Sequence, residues 1–143
     1  MSIASFSPTG PRAVAVIIKD DQLLLMRRIK GKRDYFIFGG GTIEEGETNE
    51  EGLLREITEE FSLQATKPHF LFQFVNGTRT EYWFLVRNFS GTAVLGGPEK
   101  MRQTEANQYI PTWVSLASIP AITNLYPYSA KMMLLDWLKK NDL

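Results

Sequence analysis

At 143 residues the chain has the size of one domain, long enough to bury about two thirds of the surface its unfolded form exposes. Sixteen basic and 16 acidic residues cancel, so no whole-molecule field draws in long nucleic acid or an anionic membrane, and a polyanion has to be recruited locally. The absence of cysteine excludes disulfides, thiolate metal sites and cysteine nucleophiles, and a single histidine, His69, excludes His-based triads and His-rich metal sites.

Met1 to Pro11 reads as a short tail without a basic or apolar signal segment, and no apolar run nears the ~18 residues of a membrane span. One cytoplasmic domain over residues 1–143 is the expectation. Arg12 to Lys19 and Gln22 to Arg28 are apolar, β-branched runs parted by Asp20 and Asp21, the pattern of a hairpin. Tyr35 to Phe38 extends into a loop at Gly39-Gly40-Gly41. Thr48 then caps a helix predicted from Asn49 to Phe61, with Leu53, Leu54, Ile57 and Phe61 on its apolar side. Past it, Phe70, Phe72 and Phe74 alternate with Leu71, Gln73 and Val75 as in a strand. Asn76-Gly77 is a strong turn signal, and Thr78 to Phe89 returns as the partner strand. Pro111 to Ser115 reads as a short strand, followed by a turn ending at Pro120. Pro127 suits the first turn of a final helix running to about Lys140, with Lys139 and Lys140 at its negative end. Strands around two helices predict a layered α/β domain; His69 is expected in a surface loop.

The chemistry concentrates in the first helix. Glu56, Glu59 and Glu60 stand at i, i+3 and i+4 and share a side, where like charges destabilise a helix unless a cation sits among them. Carboxylates suit a hard, oxygen-seeking ion, so magnesium is expected, with manganese as the alternative. Such ions bridge phosphates, neutralise their charge and activate water, which points to attack of water on phosphorus in a diphosphate linkage.

Gly41, Glu47, Arg55, Glu56, Ile57, Glu59, Glu60 and Leu63 fit the pattern G-x5-E-x7-R-E-U-x-E-E-x-G-U, with U apolar, and the segment closely resembles the Nudix box of MutT-like hydrolases. Two departures stand out: Ser62 where the family usually has Gly, and Gly39 where Pro is common. A non-glycine residue in the left-handed conformation that ends a helix costs about 1–2 kcal/mol. The resemblance implies an α/β/α sandwich with a mixed β-sheet and hydrolysis of a nucleoside diphosphate linked to another group. It also implies that the backbone carbonyl of Gly40 completes the ligand set of Glu56, Glu59 and Glu60, and it allows a homodimer. Asn107 to Leu116 resembles a strand found after the variable loop in bacterial members.

Arg55 is placed to hold one of the carboxylates by a forked hydrogen bond, and Glu47 to orient Arg55 in turn; a helix-stabilising ion pair is the compatible plain role. Gly52 is explained by a close approach or by simple tolerance. Family members often draw a further glutamate from a loop outside the box as general base, for which Glu99 and Glu105 are the candidates. Substrate contacts are expected from Arg12 and Arg27, within a basic group that includes Arg28, Lys32 and Arg33, and from the aromatic rings of Phe36 and Tyr82. Phe72, Phe74, Trp83, Tyr109, Trp113 and Tyr126 are further stacking surfaces, most of them expected in the core. The leading expectation is a magnesium-dependent pyrophosphohydrolase acting on nucleoside triphosphates, with housecleaning of damaged nucleotides as its role. ADP-ribose, nucleotide sugars or dinucleoside polyphosphates are the alternative substrates, and a non-catalytic nucleotide-sensing domain is the alternative of another class.

Overall fold

The strand β1 (Arg12–Lys19) is covered on both faces: Val14, Val16 and Ile18 enter one core cluster, and Ala13, Ala15 and Ile17 enter another. Its continuous apolar run is what burial between two layers demands. The computed structural model describes residues 10–142 and puts β1 inside a mixed eight-stranded sheet. Of the expected tail, residues 1–9 lie outside the described residues.

β2 (Gln22–Lys30) pairs antiparallel with β1 from Ile17↔Leu24 to Lys19↔Gln22, then leaves it and pairs with β3 (Arg33–Ile37) from Met26 onward. The free edge of β1 is taken by β4 (Gly39–Thr42), in register from Arg12↔Thr42 to Ala15↔Gly39. Gly39 to Gly41, expected as a loop, therefore form a strand. Glycine has little β preference of its own, and the open edge of β1 supplies the ladder.

The helix α1 (Asn49–Phe61) has the predicted bounds. Thr48 Oγ1 accepts from the Glu51 amide at 3.1 Å, and Glu51 Oε1 accepts from the Thr48 amide at 2.8 Å, so two of the helix's orphan donors are satisfied reciprocally. Replacing Thr48 by Ala should cost about 1 kcal/mol, read as a fall of a few degrees in Tm with metal affinity unchanged. Leu53, Ile57 and Phe61 are buried at i, i+4 and i+8, while Leu54 is only half-buried.

β5 (Gln64–Thr66) pairs with β8 (Asn88–Ser90) in a separate small sheet. β6 (His69–Asn76) and β7 (Arg79–Val86) form the expected hairpin, closed at Asn76↔Arg79, and β7 runs parallel to β1 from Arg12↔Glu81 to Ile17↔Val86. A bulge between Phe70 and Phe72 breaks the predicted alternation, leaving Phe70 exposed while Phe72 and Phe74 pack on the core. His69 is exposed, as expected, but begins β6 instead of lying in a loop.

A short helix, α2 (Gly97–Arg102), precedes β9 (Asn107–Ser115), which pairs with β2 along its whole length. β9 starts well before Pro111, which sits within it opposite Met26. Since β9 pairs with no second strand among the described elements, it is an edge strand, where proline is tolerated. A 3-10 helix over Leu116–Ala121 leads to β10 (Leu125–Tyr126), parallel to β3, and to α3 (Tyr128–Lys140). Pro127 caps α3 instead of occupying its first turn.

α3 buries Ala130, Leu134 and Leu138 in the cluster of Val14 and Trp83; α1 buries Leu53, Ile57 and Phe61 in the cluster of Ala13 and Phe84. Each fully buried aliphatic side chain is worth roughly 1.5–3 kcal/mol, so the apolar stripe of α1 fixes where its acids stand. The result is an α/β/α sandwich on a mixed sheet. Among the described residues no helix is long and apolar enough to cross a membrane.

Candidate active site

The glycine strand β4 lies directly beneath the acids of α1. A methyl group added at Gly41 would fall 2.2 Å from the carboxyl carbon of Glu56, and one at Gly39 would fall 2.2 Å from Cε2 of Phe61 and 2.9 Å from Oε1 of Glu60. Side chains at these two positions would occupy the space of the carboxylates or of the ring that anchors the helix. This explains Gly39 in place of proline: the Phe61 ring fills the volume that a proline ring would need. Gly52 is also a close approach, with Ile43 and Glu47 packed over it.

Arg55 is the hub of the box. Its Nε and Nη2 donate to the two oxygens of Glu47 at 2.7 and 3.0 Å, Nη2 donates to the Thr42 carbonyl at 3.0 Å, and Nη1 donates to Glu56 at 2.9 Å and Glu59 at 3.1 Å. The fork on Glu47 fixes the guanidinium plane, and the guanidinium then fixes two acids. The Glu47 carboxyl is held below its ordinary range chiefly by the Arg55 hydrogen bonds. Glu56 is pushed the other way, mainly because burial penalises its charge, with Arg55 opposing and Glu59 and Glu99 adding repulsion.

Glu60 turns inward, towards β4, where the Gly40 amide donates to its Oε1 at 3.4 Å. Burial, then repulsion from Glu56 and Glu99, raises its carboxyl to about 8, against the opposing pull of Arg12 and the Gly40 N–H. The three box glutamates therefore do not meet at one point. Glu56 and Glu60 face inward, Glu59 is half-exposed on Arg55, and no three acids among the described residues stand close enough to form a closed cage. Repulsion accounts for the spread, and Arg55 draws off two of the charges. The donor set nevertheless fits a hard divalent cation: oxygen ligands only, against a strand with no side chains to fill the gap.

Of the two loop glutamates, Glu99 on α2 lies near enough to raise both Glu56 and Glu60. Glu105 is exposed in the turn before β9, and only its backbone carbonyl is engaged, by Gln108.

A cavity of ≈440 Å³ lies on the α3-side face of the sheet, lined by Arg12, Val14, Ile37, Phe38, Asn76, Glu81, Trp83 and the segment Tyr126 to Tyr128; none of the box acids lines it. Arg12 lines the cavity and donates to Glu81 at 3.4 Å, and its charge opposes the rise of the Glu60 carboxyl. Of the other expected contacts, Phe36 packs against the α3-side core, Tyr82 packs against the α1-side core, and Arg27 is forked to Asp34 on the surface. None of these three lines the cavity: Tyr82 faces the other side of the sheet, while Phe36, on the cavity's side, packs into the core. Arg28 is 7 % exposed and donates to Asn107 Oδ1 and the Gln108 carbonyl while stacking 3.7 Å from the Tyr109 ring centre. Glu81, only 1 % exposed, accepts from Trp83 Nε1 at 3.1 Å and Asn76 Nδ2 at 3.3 Å. Sequence reasoning missed it, although an acid directly before the apolar run Tyr82 to Val86 is a signal that something polar stands nearby.

The profile of the NUDIX domain matches residues 9–135. Among solved structures, MutT described from the fish pathogen Aliivibrio salmonicida and from Vibrio cholerae superposes with a TM-score of 0.71 at 20 % identity, covering 91 % of this chain and 97 % of that one. The MutT NUDIX hydrolase from Burkholderia pseudomallei gives 0.66 at 17 % identity over 87 % and 95 % of the two chains. An ADP compounds hydrolase gives 0.68 at 20 % identity over 92 % and 74 %. No curated protein matches significantly by sequence. With the profile spanning nearly the whole chain, and the acids of α1 set over a glycine strand in a mixed-sheet sandwich, the chain belongs to the Nudix family of hydrolases.

Proposed function

We infer that this protein hydrolyses the diphosphate linkage of a nucleoside triphosphate, releasing pyrophosphate and a nucleoside monophosphate. The observation that carries this reading is the placement of Glu56 and Glu60, with Glu99 raising both, over the glycines of β4, while Arg12 lines an aromatic cavity on the α3-side face of the same sheet. A cavity of ≈440 Å³ suits one nucleoside, which favours nucleoside triphosphates over dinucleoside polyphosphates. Tyr126 and Tyr128, both exposed, offer faces to a base, and Asn76 offers a polar group to its edge. The inward-facing carboxylates of Glu56 and Glu60 with the Gly40 carbonyl would hold Mg2+, or Mn2+ in its place, and Glu59 would join them on release from Arg55. When bound, the cation supplies charge neutralisation across neighbouring phosphates and activation of water.

The protein's own residues do the rest. Arg12 steadies the phosphate nearest the cavity, and Arg55 with Glu47 keeps Glu56 aimed at the site. Glu99 accepts the proton of the attacking water as its oxygen bonds to phosphorus and the anhydride P–O bond breaks, with the electron pair leaving on the departing phosphate oxygen. Phosphoryl transfer asks little covalent chemistry of a protein, so positioning and charge carry the rate.

The test is release of phosphate or pyrophosphate, with Mg2+, from nucleoside triphosphates including oxidised ones, ADP-ribose, nucleotide sugars and dinucleoside polyphosphates. Turnover confined to triphosphates supports the reading; turnover confined to ADP-ribose or a nucleotide sugar replaces the substrate; nucleotide binding with no turnover replaces the enzyme by a sensing domain. In the same assay Glu99→Gln should lower kcat by about a hundredfold, whereas Glu105→Gln should stay within about twofold of wild type.

A further inference from the structure

The last turn of a helix leaves carbonyl groups without intrahelical partners, and at the end of α1 a loop supplies them. The Val94 amide donates to the Phe61 carbonyl at 3.0 Å, and the Gly96 amide donates to the Glu60 carbonyl at 3.2 Å. The approach is tight enough that a side chain at Gly96 would come within 2.6 Å of the Glu59 carbonyl. Ser62 ends the helix in the left-handed conformation, φ 61°, a geometry that glycine adopts without cost. What serine adds is its hydroxyl, which donates to the Val94 carbonyl at 3.1 Å. The loop is thus pinned to the helix at both backbone groups of Val94 and again at Gly96, and Glu99 follows three residues later.

We propose that Ser62 is a positioning residue for the metal site inferred above: its hydroxyl clamps the segment Gly91 to Gly97 onto the end of α1 and so fixes where Glu99 stands relative to Glu56 and Glu60. The strained serine is retained because it joins the helix that carries the box acids to the loop that carries the outlying one. Cation binding and loop docking are then linked, each strengthening the other.

Two variants separate this role from that of a plain helix stop. Ser62→Gly removes both the strain and the hydroxyl, and Ser62→Ala removes the hydroxyl alone. Melting temperatures should move in opposite directions, up by a few degrees for glycine and down for alanine. Amide exchange at Val94 and Gly96 in the metal-free protein should nevertheless quicken in both variants by about three- to tenfold, the value of one neutral hydrogen bond. Titration with Mg2+ alone, followed by calorimetry, should show affinity weakened by a similar factor in both. Exchange and affinity unchanged in both variants, or following the melting temperatures in opposite directions, would reduce Ser62 to a helix stop and overturn the proposal, as would absence of Mg2+ binding by the wild type. Failure of the wild type to turn over any nucleotide would count against the hydrolase reading instead, since neither exchange nor metal titration depends on turnover.

Discussion

Glu60→Gln should cut hydrolysis at least about a hundredfold and, at alkaline pH, make the metal-free protein more stable than wild type. The two effects have one origin. Glu60 is packed against β4 with Glu56 and Glu99 nearby, so its carboxyl is raised to about 8 from an ordinary value of 4.5. Between those values the folded protein binds a proton that the unfolded chain has released, so this contribution to stability is complete in acid and is lost as pH rises towards about 8. Glutamine carries no charge and loses nothing. Melts of chelator-treated protein from about pH 5 to 9 should therefore show the wild-type Tm falling more steeply, with the curves crossing and the variant several degrees higher at the alkaline end. Added Mg2+ should raise the wild-type Tm and leave the variant nearly unmoved. Turnover should fall at least about a hundredfold through loss of a ligand. Near-wild-type turnover would remove Glu60 from the site, and parallel melting curves would show that its carboxyl is not held in a costly place.

Gly41→Ala should be nearly as damaging to activity while doing little to the fold. The added methyl would stand 2.2 Å from the Glu56 carboxyl carbon and 2.4 Å from both its oxygens. β4 is held in the ladder by Ala13↔Gly41, so it is the glutamate that yields. Glu56 would swing off Arg55 and out of the ligand set, lowering kcat/KM by about a hundredfold with Tm changed by only a few degrees. Gly39→Ala makes the opposite trade. Its methyl meets the ring of Phe61, which is 1 % exposed and has nowhere to go, so overpacking should cost about 1–3 kcal/mol. Measured together, the pair should separate: Gly41→Ala stable but inactive, Gly39→Ala clearly less stable. Equal loss of stability in both would mean that β4, not Glu56, gives way.

The box helix was legible because its determinants are local. Thr48 and Glu51 cap it, the spacing of Glu56, Glu59 and Glu60 sets one side, and Leu53, Ile57 and Phe61 set another, all within a few turns. β4 was not legible, since Gly39 to Gly41 carry no strand signal and pair only because β2 abandons β1 after Leu24. The sequence could not choose between Glu99 and Glu105. We propose Glu99, whose approach to the box rests on loop amides capping the carbonyls of Glu60 and Phe61, a contact between distant segments. Arg12 was expected at the substrate and lines the cavity that we propose for it. Phe36 and Tyr82 were expected on the same chemical grounds; Tyr82 faces away from the cavity and Phe36 packs into the core on the cavity's own side, because a residue's type says nothing about which face or which part of a face is left open.

The placement of β1 also governs how quickly the molecule can assemble. It is bordered by β2, β4 and β7, and its pairing with β7 joins Arg12 to Glu81, 69 residues apart. A long chain has to close before that pairing rewards it, and until then α1 has only part of a surface to rest on, so folding on the millisecond-to-second scale of non-local topologies is expected. Loop-closure entropy grows only slowly with length, so lengthening the turns between β4 and β7 should barely delay refolding, whereas trimming Val14 or Ile17 should slow it markedly.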